Sequence, residues 1–309
     1  MAVRRVVLTL LAVALASGAA ASPARASVRV AAAGDIACDP GSTRFAGGLG
    51  TALACRQHHT AALLSQRSYD AVLALGDNQY ETGALSGYLA SYDRSWGRAK
   101  AITRPVPGNH EYRTPGAAGY FDYFNGPGVA RGPAGPRRRG FYSYDLGRWH
   151  LVALNSYCAA VACGSGTEQL RWLRADLARS ASSCVLAYWH QPRFSSGVHG
   201  GDPALRPIWR ALTRARVEIA LSGHDHDYER FAPLLADGRP SARRGVRQFV
   251  VGTGGRELRP FSVPRRGSRR RLAGDFGVLD LRLRRGSYRW AFRAEPLGQA
   301  LDRGRSSCR

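Results

Sequence analysis

The residues best suited to chemistry sit in five short stretches, each closing an apolar run. They are Asp35 in Gly34-Asp35, Asp77 and Tyr80 in Leu75-Gly76-Asp77-Asn78-Gln79-Tyr80, Asn109 and His110 in Gly108-Asn109-His110-Glu111, His190, and His224 and His226 in Gly223-His224-Asp225-His226. Carboxylates, imidazoles, an amide oxygen and a phenol suit a hard or borderline cation rather than a soft one. Seven such ligands (Asp35, Asp77, Tyr80, Asn109, His190, His224, His226) are too many for one four-coordinate ion. They fit two ions, about 3.5–4 Å apart, sharing one carboxylate. That arrangement lowers the pKa of a bound water and clamps both oxygens of an in-line displacement, which is phosphoester chemistry more than peptide chemistry. Singly, each group has an ordinary explanation. Gly-Asp marks common turns, and a lone histidine is more often packed in a core. His224-x-His226 is more telling, because alternate residues of an extended segment point the same way. The recurrence of all five at strand ends is what makes the set informative.

Elements that could bring them together can be read from the apolar pattern. Strands are expected at Val28–Ala33, Ala71–Leu75, Ala101–Val106, Cys184–Trp189, Val217–Leu221 and Gln248–Val251, the last ending in Gly252-Thr253-Gly254-Gly255. Phe141–Leu146 and Trp149–Asn155 read as a hairpin about Gly147-Arg148. A further antiparallel pair is expected at Phe276–Leu283 and Tyr288–Ala294. Helices are expected near Ala52–Gln66, over Leu85–Arg98 with Leu85, Tyr88, Leu89, Tyr92 and Trp96 on one face, over Glu168–Arg179, and over Leu205–Arg214. Residues 113–140 read as a long surface loop with some short helix. Strand alternating with helix, followed by hairpins, indicates an α/β fold with mixed sheets and helices outside. In such folds ligands bind beyond the carboxyl ends of the strands, so all five stretches belong on one edge. No linker or repeat divides residues 27–309, and one domain is expected.

The ordered set Gly34-Asp35, Gly76-Asp77-x-x-Tyr80, Gly108-Asn109-His110-Glu111, His190 and Gly223-His224-x-His226 resembles the motifs of the calcineurin-like metallophosphoesterases, and among them the purple acid phosphatases. The resemblance implies a four-layer sandwich of two facing mixed β-sheets flanked by helices. It implies that Asp35, Tyr80 and His226 hold a first ion, typically Fe(III), and that Asn109, His190 and His224 hold a second, divalent one (Zn, Fe or Mn). Asp77 would bridge them. Many members of the superfamily carry Asp-x-His in the first motif, whereas this chain has Ala37 at the histidine position; the Tyr80 phenolate would substitute, as in the purple acid phosphatases. His110 and His199 match active-site histidines of that group, either of which can protonate a leaving oxygen. The reaction implied is hydrolysis of phosphate monoesters by in-line attack of a metal-bound hydroxide. A phosphodiesterase or nucleotidase on the same site is the alternative, and a non-catalytic binder of anionic polymers the more distant one. His58, His59 and His150 match no motif and read as structural.

The bulk properties set the surroundings. Arg4 and Arg5, an apolar run over residues 6–16, and Ala24-Arg25-Ala26 form the pattern of a cleavable secretory signal over residues 1–26. The expected location is secreted or extracytoplasmic, with no stable membrane insertion after cleavage and an oligomeric state the sequence leaves open. Six cysteines in an exported chain suggest disulfides, with fifteen possible pairings. The pairs close in sequence are Cys38 with Cys55 and Cys158 with Cys163, which leaves Cys184 with Cys308. Formal charge is +23, nearly all arginine, Lys100 being the only lysine. Such a surface concentrates anions, phosphate esters among them. The arginines are scattered in sequence apart from Arg137-Arg138-Arg139 and a cluster over 265–271, so nucleic acid is expected only as a substrate or nonspecific ligand.

Overall fold

The computed structural model describes residues 27–309; the expected signal segment lies outside them. In chain order the elements are β1 (Ser27–Ala33), α1 (Gln57–Ser65), β2 (Ala71–Ala74), α2 (Leu85–Gly87), α3 (Ala118–Asn125), β3 (Arg131–Gly132), β4 (Gly135–Pro136), β5 (Tyr142–Leu146), β6 (Trp149–Ala153), α4 (Glu168–Arg179), β7 (Cys184–Tyr188), α5 (Arg206–Arg214), β8 (Ile219–Ser222), β9 (Tyr228–Leu234), β10 (Val246–Val251), β11 (Ser268–Leu272), β12 (Gly277–Arg284), β13 (Ser287–Ala294) and β14 (Gln299–Ser307). They build a five-stranded sheet, β14-β13-β12-β1-β2, and a seven-stranded sheet, β11-β9-β10-β8-β7-β6-β5. In the first, β1 and β2 are parallel; in the second, β6, β7, β8 and β10 are. The fold is thus α/β with two mixed sheets.

Period-two alternation divides the apolar residues between layers. Leu151, Leu186, Ile219 and Leu221 of the larger sheet meet Val30, Leu281, Leu283 and Phe292 of the smaller one in the central core. The alternate residues Val152, Val185, Ala220 and Val250 face outward and pack under Leu170 and Leu173 of α4 and Trp209 and Leu212 of α5. Strands buried on both faces read as continuous apolar runs, which is why they are visible in the sequence. Three disulfides join Cys38–Cys55, Cys158–Cys163 and Cys184–Cys308, and the last ties the end of the chain to the start of β7.

Some expectations need correction. Leu85–Arg98 is not one α-helix: α2 passes into a π turn over Tyr88–Tyr92 and then a 3-10 stretch over Trp96–Ile102. Tyr88, Tyr92 and Trp96 are buried as expected, but the change of pitch turns Leu89 to solvent, 54% exposed. Ala101–Val106 is not a full strand. It touches β2 only through bridges at Val72–Thr103 and Leu75–Val106, and Pro105, without an N–H, closes that sheet edge to further pairing. The arginine-rich strands β11 and β14 carry too little apolar patterning to be seen in sequence, and the buried strand β9 was not expected either.

Candidate metal centre

Three of the five motifs leave their strands through a sharp backbone turn. Asp35, Asp77 and His224 have positive φ (59°, 46° and 72°), a costly conformation for such residues that tertiary structure must hold in place. The neighbouring glycines are required by close approach. A Cβ on Gly108 would lie 2.2 Å from Asp77 Oδ1, and one on Gly223 2.5 Å from Asp35 Oδ2. Asp35 and Asp77 come from the five-stranded sheet, Asn109 and His110 from the segment beside it, and His190, His224 and His226 from the seven-stranded sheet. The structure brings all seven expected ligand residues, with His110 and His199, to one place between the carboxyl ends of the two sheets.

Two sets of contacts form there. In the first, the Tyr80 hydroxyl lies 2.8 Å from Asp35 Oδ1, 3.3 Å from Asp77 Oδ2 and 3.2 Å from His226 Nε2. In the second, His190 Nε2 lies 3.2 Å from Asp77 Oδ2 and 3.3 Å from His224 Nδ1. Ligand atoms of Asp77, His190 and His224 all fall within 4.8 Å of one another. Asp77 touches both sets. At the place of the superfamily histidine, Ala37 is fully buried, and its carbonyl accepts from the Tyr80 N–H at 2.8 Å.

The donors fit cations on three counts. His190 and His226 donate Nδ1–H to the carbonyls of Leu75 (2.9 Å) and Glu257 (2.7 Å), which fixes the tautomer and aims Nε2 into the site. The buried Oδ1 of Asn109 has no hydrogen-bond partner among the described residues, a cost a cation would remove. The site also draws positive charge. Burial works against His190, but the charge of Asp77 and its hydrogen bond push the imidazole up to about 9. Burial opposes ionisation of Asp77 as well, yet His190 and His110 hold it well below the usual carboxylate range. Burial, then the adjacent His190, brings His224 down to about 4. Tyr80 is pushed far up by burial and by Asp35 and Asp77, so its phenol needs a strong cation to ionise.

The mouth is a polar pocket of about 170 Å³, and Arg113, Arg256 and Arg259 stand on its rim. His110 donates Nδ1–H to the Glu81 carbonyl at 2.6 Å and lies 4.3 Å from the Tyr80 ring; burial lowers its pKa. His199 sits 4.6 Å from the His224 ring, with Nδ1 3.2 Å from Asp225 and Nε2 2.8 Å from Arg259.

Sequence reasoning missed the supports. Glu111, fully buried, accepts from the N–H groups of Asp77 (2.9 Å), Asn78 (2.8 Å) and Gly108 (2.6 Å) and from the Tyr88 hydroxyl (3.0 Å). Asp225, buried between two expected ligands, accepts from Ser195 and from the His199 N–H. Arg256 covers the Tyr80 ring at 4.8 Å and pairs with Glu81 at 2.7 Å. The glycine run after β10, a sixth strand end, was the available signal for Arg256 and Arg259.

A profile of the Calcineurin-like phosphoesterase family matches residues 28–228. Among curated proteins, "Probable inactive purple acid phosphatase 9" of Arabidopsis thaliana is 27% identical over 62% of this chain and 34% of its own length. A "Nucleotide pyrophosphatase/phosphodiesterase" of Hordeum vulgare is 26% identical over 63% of this chain and 60% of its own length. The chain therefore spans less than two thirds of either relative. The purple acid phosphatase PPD1 of yellow lupin shares the fold, with a TM-score of 0.71 at 22% identity over 93% of this chain and 55% of that one.

Proposed function

The chain belongs to the calcineurin-like phosphoesterase family, and we propose that it is an exported enzyme hydrolysing phosphate monoesters at a two-metal centre of the purple acid phosphatase type. The observation that carries the reading is the unpartnered Asn109 Oδ1 beside the Asp77–His190–His224 cluster. An amide oxygen, a carboxylate and two imidazoles, that of His190 oriented by the Leu75 carbonyl, form one ligand set; Asp35, Tyr80 and His226 form the other, and Asp77 belongs to both. Ions bound there would acidify a water and neutralise charge on the phosphate oxygens. Fe(III) in the Tyr80 set and a divalent ion in the Asn109 set suit these donors, because a phenol pressed against two carboxylates ionises only for a highly charged partner.

The protein's own groups supply the remainder. Arg113, Arg256 and Arg259 offer fixed positive charge to a phosphate entering the mouth. His110, locked on the Glu81 carbonyl, presents Nε2 toward the same space. His199 Nε2 accepts from Arg259 and its Nδ1 faces Asp225, so that ring helps to hold Arg259 in place, and we assign the protonation of the leaving alkoxide to His110 Nε2. Three disulfides agree with an oxidising compartment and hence with export. The second reading, a phosphodiesterase or nucleotide pyrophosphatase, draws on the barley relative and on the rim arginines, which can hold a second phosphate.

The test is metal analysis with turnover of monoester, diester and nucleotide substrates by the wild type, Asn109→Ala and Asp77→Ala. Two ions per chain and preferred monoester turnover, both lost in Asp77→Ala, are expected. An Asp77→Ala protein with full metal and activity would sink the proposal.

A further inference from the structure

The arginines that look scattered in the sequence are aligned by strand register. Arg29 of β1 lies opposite Arg282 of β12, Arg282 opposite Arg289 of β13, and Arg289 opposite Arg305 of β14. Four arginines thus stand in one row across four adjacent strands. At about 4.8 Å between strands the row is about 14 Å long. Arg303 on β14 and Arg284 on β12 flank it on the same face, two residues along. Arg282, Arg284, Arg289, Arg303 and Arg305 are exposed. The row borders an open depression of about 750 Å³. Arg67 also reaches this depression, and its buried Nε has no hydrogen-bond partner among the described residues.

Like charges directly opposite on neighbouring strands are destabilising, and little here compensates them. Among the described residues the one carboxylate on this face, Asp280, is taken by Arg29 (2.6 Å) and Arg293 (2.7 Å). Among the described residues no carboxylate pairs with Arg282, Arg289, Arg303 or Arg305. Protection of a sheet edge would account for charges on β14, but not for Arg282 and Arg289 on interior strands. We propose that the outer face of β12, β13 and β14 docks a linear polyphosphate chain. The charge is repetitive and one-signed, as a polymer of phosphates requires. Stacking surface for bases is sparse: the aromatic residues of β13, Tyr288, Trp290 and Phe292, are buried on the opposite face, and the half-buried Tyr69 ring lies against Arg29 at one end of the row only. Arg29 precedes Asp35 by six residues, so the row lies about 20 Å from the candidate metal centre along β1. A docked chain therefore leaves the mouth open, and the surface stands whether or not the proposed reaction does.

The test is binding of long-chain inorganic polyphosphate to the full chain over a range of salt. The triple variant Arg282→Ala/Arg289→Ala/Arg305→Ala should bind more than tenfold more weakly at low salt. Its log–log salt slope should fall by about three, near one for each arginine removed. Small-ester turnover should be unchanged, and the thermal midpoint should not drop, because opposed like charges have been removed. A control with equal charge loss at exposed sites elsewhere, Arg243→Ala/Arg269→Ala/Arg270→Ala, should bind within twofold of wild type. Should the triple variant fold poorly, Arg289→Gln/Arg305→Gln makes the same comparison. Equal losses in test and control would overturn the proposal in favour of net charge. Unchanged binding in the test variant would overturn it outright, and tighter binding of a single-stranded oligonucleotide of matched charge would reassign the surface to nucleic acid.

Discussion

The backbone N–H of Asp77 donates to the Glu111 carboxylate at 2.9 Å, and the other contacts of that carboxylate tie the Asp77 turn to the Gly108 turn. Glu111 thereby sets the separation of Asp77 and Asn109 without facing the pocket. Glu111→Ala would strand several buried N–H groups, each costing about 1–3 kcal/mol. A total loss of about 4 kcal/mol in chemical denaturation is expected, with loss of bound metal. A variant of near-normal stability and metal content would remove Glu111 from this role.

Tyr80→Phe deletes the hydroxyl shared by Asp35, Asp77 and His226 while keeping the buried ring. Iron content should fall, any visible absorption band should vanish, and turnover should drop more than tenfold. A coloured, iron-loaded Tyr80→Phe protein would show that the phenol only packs.

His150 matches no motif, and in the structure it bridges Asp145 (2.7 Å) and Asp176 (2.9 Å), far from any ligand set. The hydrogen bond to Asp176 outweighs burial and raises the imidazole pKa. Burial opposes ionisation of Asp176, but the bonds to His150 and Ser143 lower its pKa. The histidine contribution is complete below its unfolded value, about 6.5, and is lost as pH rises through the raised value. The aspartate contribution is complete above about 3.9 and is lost as pH falls through the lowered value. His150→Gln should thus cost about 1 kcal/mol near pH 6, since Asp145 is solvent-screened, and progressively less toward pH 9. A stability difference that grew with pH, followed by thermal melts, would reverse the assignment.

Cys308→Ser opens a loop of sequence separation 124. Loop-closure entropy puts the loss at about 4–5 kcal/mol. Urea denaturation under non-reducing conditions should show it, and hydrogen exchange should show β14 opening first. A loss below about 1 kcal/mol would mean that the two bonds from Arg309 to the Glu218 carboxylate anchor the tail instead.

How much was legible follows from what each residue depends on. Asp35, Asp77, Asn109, His190, His224 and His226 could be placed because each follows an apolar run, and strand direction then puts them on one edge. Glu111 sat in plain view beside His110, but its role depends on the Asp77 turn, more than thirty residues earlier in the chain. The arginine row was invisible because Arg29 and Arg282 become neighbours only through β1–β12 pairing. β14 was missed because an edge strand rich in arginine and serine has no apolar alternation to betray it. Leu89 was misjudged because a π turn breaks the 3.6-residue period.

The pairing of β1 with β12 also bears on how the molecule is made. Val30 sits opposite Leu281, so the β12 flank of the first described strand stays open until 251 further residues (281 − 30) have been made, although β2 can cover its other flank early. Pairings of such long sequence separation are slow to form. A growing or truncated chain that stops short of residue 277 holds Asp35 on a strand with one flank open. The turn that aims its carboxylate is then unsupported. Metal capture should therefore trail backbone folding, and the moment of ion uptake would time the last step of assembly.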